Sequence, residues 1–167
     1  MEAGPIVSRV VSGGQTGADR AALDAAVHLG LPYGGWCPAG GRAEDLPDPP
    51  GLLRRYPCLV ETPPAPASTR TRWNVRDSDA TLVLRLDSSA RSPGTQLTVD
   101  IASELGRPVL VAYATDLAGV VRWLGSFGGG IVLNVAGPRE SEDPGLYDAA
   151  YRTLCPALLA APLVEPD

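Results

Sequence analysis

The sequence contains no lysine, a single histidine and only three cysteines, and these shortages exclude several kinds of site. A nucleotide-hydrolysing P-loop needs the lysine of G-x-x-x-x-G-K-[ST], and that motif is missing. The cysteines are widely spaced and odd in number, which predicts free thiols rather than disulfides or a zinc finger. Because the carboxylates form no evident cluster around the one histidine, we expect no metal site.

Long apolar runs and basic clusters are missing as well. No apolar stretch approaches the ~20 residues of a membrane span, and the N-terminus leads into a predicted strand without a signal sequence. These features predict a cytoplasmic protein that does not bind membranes. All 14 basic residues are arginines scattered along a chain of net charge −5, so we also expect no nucleic-acid binding.

The composition that remains is that of an ordinary globular protein. It is 44% hydrophobic and 20% charged over 167 residues, which predicts a single domain over residues 1–167. Residues 32–69 are dense in glycine and proline and indicate a long loop region. Elsewhere short apolar segments alternate with helical ones, and the predicted strands are Ile6–Ser12, Cys58–Glu61, Ala80–Leu86, Val109–Tyr113 and Ile131–Val135. This alternation predicts an α/β fold with a mostly parallel sheet and helices on both faces.

Three unusual loops each follow a predicted strand: Ser12–Gly17, Asp87–Thr95 and Asn134–Ser141. Right-handed crossovers bring the ends of parallel strands to one edge of the sheet. Ligands of open α/β sheets bind outside that edge. The three loops therefore predict one shared ligand site.

The first two loops have the character of anion-binding turns. Glycines let a backbone approach a ligand closely, and a following helix offers free N–H groups and a partial positive charge. A purely structural turn and a plain helix cap are the alternatives for these loops. The candidate ligand-binding residues here are Gly13, Gly14, Gln15, Thr16, Gly17, Ser92, Gly94 and Thr95.

The third loop adds a polar group and a charge. Asn134 and Arg139 follow an apolar strand, and an arginine fork matches two phosphate oxygens. A surface ion pair between Arg139 and Glu140 or Glu142 is the alternative. Arg42 and Arg70 are further candidates for balancing the charge of a ligand.

Two residues of the long loop region have competing interpretations. Trp36 could stack on a planar ligand or pin its loop to the core. Cys37 has no histidine near it in sequence, which favours a structural thiol over a nucleophile.

Six separated segments resemble a known family. They occur in order as SGGQTGADRAALDAA, GGWCPAGGRAED, YPCLVET, RTRWNVRDSDATL, SPGTQLT and LNVAGPRES. Together they resemble the putative molybdenum carrier family, also called the circularly permuted YpsA-related SLOG family. The resemblance implies a Rossmann-like SLOG domain that binds a phosphate-bearing, nucleotide-like molecule, with molybdenum cofactor (a pterin monophosphate) as candidate cargo. The ligand contacts that it implies are Gly13, Gly14, Gln15, Thr16, Gly17, Arg20, Gly94, Thr95, Asn134 and Arg139.

One departure from the superfamily bears on enzymatic activity. LOG-type phosphoribohydrolases carry P-G-G-x-G-T followed by glutamates, whereas this chain has SPGTQLTVD with Asp100 as the nearest carboxylate. Cleavage of an N-glycoside needs a carboxylate at the sugar. We therefore expect binding without catalysis. The alternatives are a nucleotide hydrolase using Asp19, Asp100 or Glu140, and a sensor of a nucleotide signal; assembly into a homodimer or higher homo-oligomer stays open.

Overall fold

The computed structural model describes residues 4–87, 89 and 91–162. The remaining residues, among them Ser88 and Ala90 of the predicted second loop, lie outside the described residues. Strands and helices alternate along the chain as β1 Val7–Val11, α1 Ala18–Leu29, β2 Tyr33–Gly34, β3 Trp36–Cys37, α2 Leu52–Arg55, β4 Val60–Glu61, α3 Ala67–Arg76, β5 Ala80–Arg85, α4 Pro93–Glu104, β6 Val109–Tyr113, α5 Leu117–Leu124, β7 Ile131–Ala136 and α6 Leu146–Leu158.

The main sheet has five parallel strands in the order β2-β1-β7-β5-β6. The last of the described strands, β7, therefore lies in the middle of the sheet. If the strands were counted from β7, the order would be 3-2-1-4-5, which is the order of a doubly wound nucleotide-binding sheet. The predicted Rossmann-like α/β fold is confirmed, and its strand order is a circular permutation of the usual one.

The two faces of this sheet differ in chemistry. Helices α1, α5 and α6 cover one face, where buried leucines of β5 and β7 meet an alanine-rich side of α1. The small alanine side chains let α1 pack closely on α6. On the other face α3 and α4 bury only a small apolar cluster of Val75, Ile101 and Ala102. Thr81 and Asn134 alternate with the buried leucines and so point to this second face.

The loop region 32–69 contains more regular structure than its composition predicts. Strands β3 and β4 pair in a separate two-stranded sheet, and the region packs on Leu23 of α1 through Cys37, Leu52, Tyr56 and Leu59. Burial raises the pKa of the Cys37 thiol to about 11, so this cysteine is a protonated structural thiol at neutral pH. Cys37, Cys58 and Cys155 are all free.

Two helix starts differ from the predicted ones. The sequence RTRWNVRD predicts a short helix over Arg70–Asp77, whereas α3 begins one turn earlier, at Ala67. Asp143 directly precedes Pro144, which predicts an N-cap at Asp143, but α6 begins after Gly145 and this prediction is wrong. The Asp143 carboxylate instead accepts hydrogen bonds from the backbone N–H groups of Leu86 (2.7 Å) and Asp87 (3.3 Å), where it holds the end of β5. Within the described ranges, each helix is too short or too polar to cross a bilayer.

Candidate functional site

The loops after β1, β5 and β7 meet around a cavity of about 340 Å³, here called the first cavity. It lies where the strand order reverses between β7 and β5, the position at which doubly wound sheets bind ligands. The expectation that these three loops converge is thereby confirmed. Its lining residues are Gly13, Gln15, Asp19, Ala67, Arg70, Thr71, Asn74, Ser92, Pro93, Gly94, Thr98, Asn134, Val135, Ala136, Gly137, Arg139 and Glu142.

One wall of the first cavity is a side of α3. Ala67, Arg70, Thr71 and Asn74 stand three or four residues apart, so they share one face of the helix. From the sequence, Arg70 is a ligand-binding candidate and Asn74 a residue that could cap a helix or bind, whereas Ala67 and Thr71 are not identified. The spacing of small and polar residues in ASTRTRWN is the signal that could have identified the whole wall.

A second wall is the beginning of α4. Ser92 is the N-cap, and its Oγ accepts hydrogen bonds from the Thr95 N–H and the Thr95 hydroxyl. Thr95 therefore completes the cap and does not line the cavity. The first turn of α4 contains no acidic side chain, and the nearest carboxylate at this helix start is that of Glu142 from the third loop, 3.4 Å from Ser92 Oγ.

The beginning of α1 is arranged differently, because Asp19 lies in its first turn. The Asp19 carboxylate accepts a hydrogen bond from the Gln15 N–H (3.3 Å), and Arg70 Nη1 lies 3.4 Å from it. Burial raises the pKa of Asp19 to about 6, against the lowering effect of Arg70. This helix start already holds a carboxylate of the protein.

Gly13 makes room for the Arg70 guanidinium. A Cβ at this position would lie 1.9 Å from Arg70 Nη1, so no side chain fits while the arginine occupies its place. Arg70 is 17% exposed, and its Nε is buried without a hydrogen-bond partner. The cavity thus contains a cation that its protein neighbours satisfy only in part.

Arg139 lies at the rim of the first cavity and is 50% exposed. Its Nε is 3.4 Å from Glu142 Oε1, and its Nη1 is 3.9 Å from Glu44 Oε2. The ion pair with Glu142 is one of the two that the surface interpretation predicted. Glu142 also accepts from the Arg139 N–H (2.9 Å) and from Ser92 Oγ (3.4 Å), which ties the third loop to α4.

On the far side of the first loop lies a second cavity of about 360 Å³, lined by Thr16, Gly17, Arg20, Asp24, Asp45, Arg55, Glu140 and Tyr147. Its charged groups are largely paired with one another. Arg20 forms two hydrogen bonds to Asp45 (2.8 and 2.9 Å), and its Nε donates to the Gly14 carbonyl. The Asp24 carboxylate accepts from the hydroxyls of Tyr56 and Tyr147.

The tyrosines and Glu140 of this second region have structural roles. Burial, followed by the hydrogen bond to Asp24, raises the pKa of both Tyr56 and Tyr147. Glu140 accepts from the backbone N–H groups of Gly145 (2.7 Å) and Tyr147 (2.8 Å), so it caps α6.

The structure divides the ligand-binding candidates of the sequence between these regions. Those that line the first cavity are Gly13, Gln15, Arg70, Ser92, Gly94, Asn134 and Arg139. Thr16, Gly17 and Arg20 line the second cavity. Gly14 is buried, Arg42 is exposed, and together with Thr95 they line neither of these two cavities.

Trp36 and Asp100 lie outside both cavities. The Trp36 indole N–H donates to Asp77 (2.8 Å), and its ring packs edge-on against Trp73 at 4.7 Å. The tryptophan therefore pins its loop to α3. Asp100 is exposed and accepts from the Gln96 side-chain amide (2.9 Å).

Comparison with known proteins agrees with the permuted strand order. The profile of the circularly permutated YpsA SLOG family matches residues 10–158. The chain belongs to this family. The family's name describes the feature that the sheet shows, in which the strand expected first in a doubly wound order comes last in the chain.

A solved structure supports the same membership. The crystal structure at 1.45 Å of a protein named putative molybdenum carrier protein, from Syntrophus aciditrophicus SB, is 39% identical to this SLOG chain. The match covers 93% of this chain and 97% of that one, with a TM-score of 0.80. No match was found among curated proteins.

Proposed function

We propose that the protein binds and carries a small phosphate-bearing, nucleotide-like molecule in the first cavity. The observation that carries this proposal is the position of Arg70, a largely buried guanidinium with one long ion pair, in the same cavity as the start of α4, whose first turn has no acidic side chain. Both groups favour an anion between them. The volume of the cavity falls within the range of about 300–1,000 Å³ that is usual for small-molecule sites.

Molybdenum cofactor, a pterin monophosphate, is the candidate cargo. The name of the 39% identical neighbour supports this choice. Asn134 lines the floor of the cavity, and its side-chain amide suits the hydrogen-bonding edge of a pterin or purine, whereas the Asn74 amide is held by the backbone N–H and carbonyl of Trp36 (2.7 and 2.9 Å). None of the described residues that line the cavity is aromatic, so such a ring would be held by hydrogen bonds rather than by stacking.

A nucleotide hydrolase is the second candidate, and Asp19 is the observation that favours it. Its carboxyl group lines the cavity with a pKa raised to about 6, which suits general acid or base chemistry. Asp100 and Glu140, the other carboxylates considered for this activity, lie outside the first cavity. We favour carriage because Asp19 is already engaged by Arg70 and Gln15.

Native mass spectrometry of the purified protein tests for cargo directly, since a retained phosphate ester adds a defined mass. Binding of inorganic phosphate and of guanosine 5′-monophosphate, measured by calorimetry, tests the anion site. Arg70→Ala should weaken binding by about ten- to a hundredfold, because a charge-assisted hydrogen bond contributes roughly 1.5–3 kcal/mol.

Arg72→Ala is the matched control for Arg70→Ala. Arg72 lies on the same helix, is exposed, and pairs with Glu104 of α4 outside the cavity. We expect it to bind like the wild type. Equal affinities for the wild type and the Arg70 variant would contradict the proposed site. Release of free base from nucleoside monophosphates would show that the protein hydrolyses its ligand and does not merely carry it.

A further inference from the structure

We propose that anion binding in the first cavity is coupled to uptake of a proton by Asp19, because the anion and this carboxylate share the single guanidinium of Arg70. The inference rests on the proposed function and adds a chemical requirement to it. It concerns how the site accommodates charge, whichever phosphate ester is the cargo.

Geometry places Asp19 and the expected anion on the same cation. Asp19 is 8% exposed, and Arg70 Nη1 at 3.4 Å is the only described cationic group within ion-pair distance of it. Among the described residues, Arg70 has a hydrogen-bond partner only for Nη1, although the residue lines the cavity. Its Nε is buried, so Nη2 is the end of the guanidinium that can contact an anion while Nη1 stays near Asp19.

The other groups around Asp19 cannot replace Arg70. On α1 itself, Arg20 is committed to Asp45 by two hydrogen bonds. The first loop contributes the uncharged Gln15 N–H. Across the cavity, Arg139 is paired with Glu142 on the third loop, so this pair adds little net charge.

A bound dianion therefore creates a local excess of negative charge. Two anionic groups on one guanidinium repel each other strongly where water is scarce. Protonation of Asp19 removes that repulsion, and it is accessible because the pKa of Asp19 is already about 6 before any anion arrives. For an anion of fixed charge, binding should consequently be tighter at pH 6 than at pH 8, and it should consume protons from the solution.

Calorimetry with inorganic phosphate tests this coupling. Titrations of the wild type and Asp19→Asn in two buffers of different ionisation enthalpy give the number of protons taken up. The ionisation of phosphate itself contributes equally in both proteins. The difference in proton uptake between the wild type and Asp19→Asn is therefore due to Asp19. If the anion raises the carboxyl pKa by about one pH unit, the wild type should lose about fivefold more affinity than the variant between pH 6 and pH 8.

Two further measurements protect the test against a variant that fails to fold. Carbon-13 NMR of the Asp19 carboxyl in the wild type should show a higher titration midpoint with saturating phosphate than without it. Gly13→Ala should raise the same midpoint without phosphate, because its methyl group would displace the Arg70 guanidinium. Asp100→Asn changes an exposed carboxylate of α4 and serves as the control. In this variant the Asp19 titration midpoint should match that of the wild type, both with and without phosphate.

The outcomes separate this inference from the proposed function. If phosphate binds but the wild type and Asp19→Asn take up equal numbers of protons, the coupling is wrong and the anion site stands. If saturating phosphate leaves the titration midpoint of Asp19 unchanged, the coupling is likewise wrong. If the wild type binds no phosphate between pH 6 and pH 8, the proposed anion site fails as well.

Discussion

The two cavities of this protein are nearly equal in volume, at about 340 and 360 Å³, and share the first loop as a wall. They differ in how their charges are satisfied. In the second cavity Arg20 and Asp45 form a two-bond ion pair, and Asp24 accepts from two tyrosines. In the first, Arg70 has one long contact and a buried Nε without a partner. Because buried polar groups are nearly always paired in folded proteins, incomplete pairing distinguishes the first cavity from the second better than volume does.

The largest effect on stability is expected for a substitution in the first loop, which forms a wall of both cavities. Gly17 has φ of +79°, and a Cβ there would lie 2.4 Å from the Pro138 carbonyl oxygen. Gly17→Ala should lower the free energy of unfolding by about 3 kcal/mol or more, since both the backbone and a backbone contact must shift. Urea denaturation measures this loss. A fully stable variant would show that the first and third loops are not in firm contact.

The second prediction tests whether the second cavity is a structural element. Arg20→Ala should cost about 2 kcal/mol of stability, a value discounted because Asp45 is 44% exposed. The variant should keep its affinity for phosphate at temperatures where it remains folded. Arg55→Ala is the control in the same cavity, because Arg55 is 57% exposed and 3.7 Å from Asp24. A selective loss of phosphate binding in the Arg20 variant would instead make it a ligand contact.

The third prediction concerns pH and sharpens the view of the first cavity. Burial raises the folded-state pKa of Asp19 from 3.8 to about 6, so the folded protein binds this proton more readily than the unfolded chain. Its contribution to stability therefore increases as the pH falls through 6 toward 3.8. Between pH 8 and pH 5 the wild type should gain about 1 kcal/mol relative to Asp19→Asn. Urea denaturation at both pH values checks this, and a constant difference would contradict it.

The smallest expected effect is that of Gly94→Ala on stability. Gly94 is exposed in the first turn of α4, and no atom lies within 4 Å of a Cβ built there. The free energy of unfolding should change by no more than about 0.5 kcal/mol. Affinity for phosphate should fall severalfold, because the new methyl group stands at the cavity wall. Unchanged affinity would move the anion away from this helix start.

The sequence predicted the parts of this site that depend on chain order. Apolar strands followed by glycine-rich or polar loops indicate a parallel sheet with a ligand edge, so convergence of the three loops was foreseeable. Local pattern could not reveal which contacts the glycines make. Gly13 accommodates Arg70 and Gly17 accommodates Pro138, and both partners are more than 50 residues away in sequence.

Long-range pairing also explains why some residues have other partners than their spacing in the sequence predicts. Arg20 and Asp24 are spaced for a pair along the helix, yet Arg20 pairs with Asp45 from the loop region. Asp143 has the spacing of a helix cap, yet it binds the end of β5. In each case a tertiary partner outcompeted the local one, and a single sequence without known contacts does not specify that partner.

The central position of β7 has a consequence for biosynthesis. Val7 of β1 pairs with Ile131 of β7, and Thr81 of β5 pairs with Asn134, so β7 alone joins the two halves of the sheet. A ribosome synthesises β1, β2, β5 and β6 before this strand, and the nascent chain must wait with two unpaired strand edges. The same strand supplies Asn134 to the cavity floor. The first cavity therefore cannot form before β7 is synthesised, because Asn134 on its floor and the central strand of the sheet arrive together.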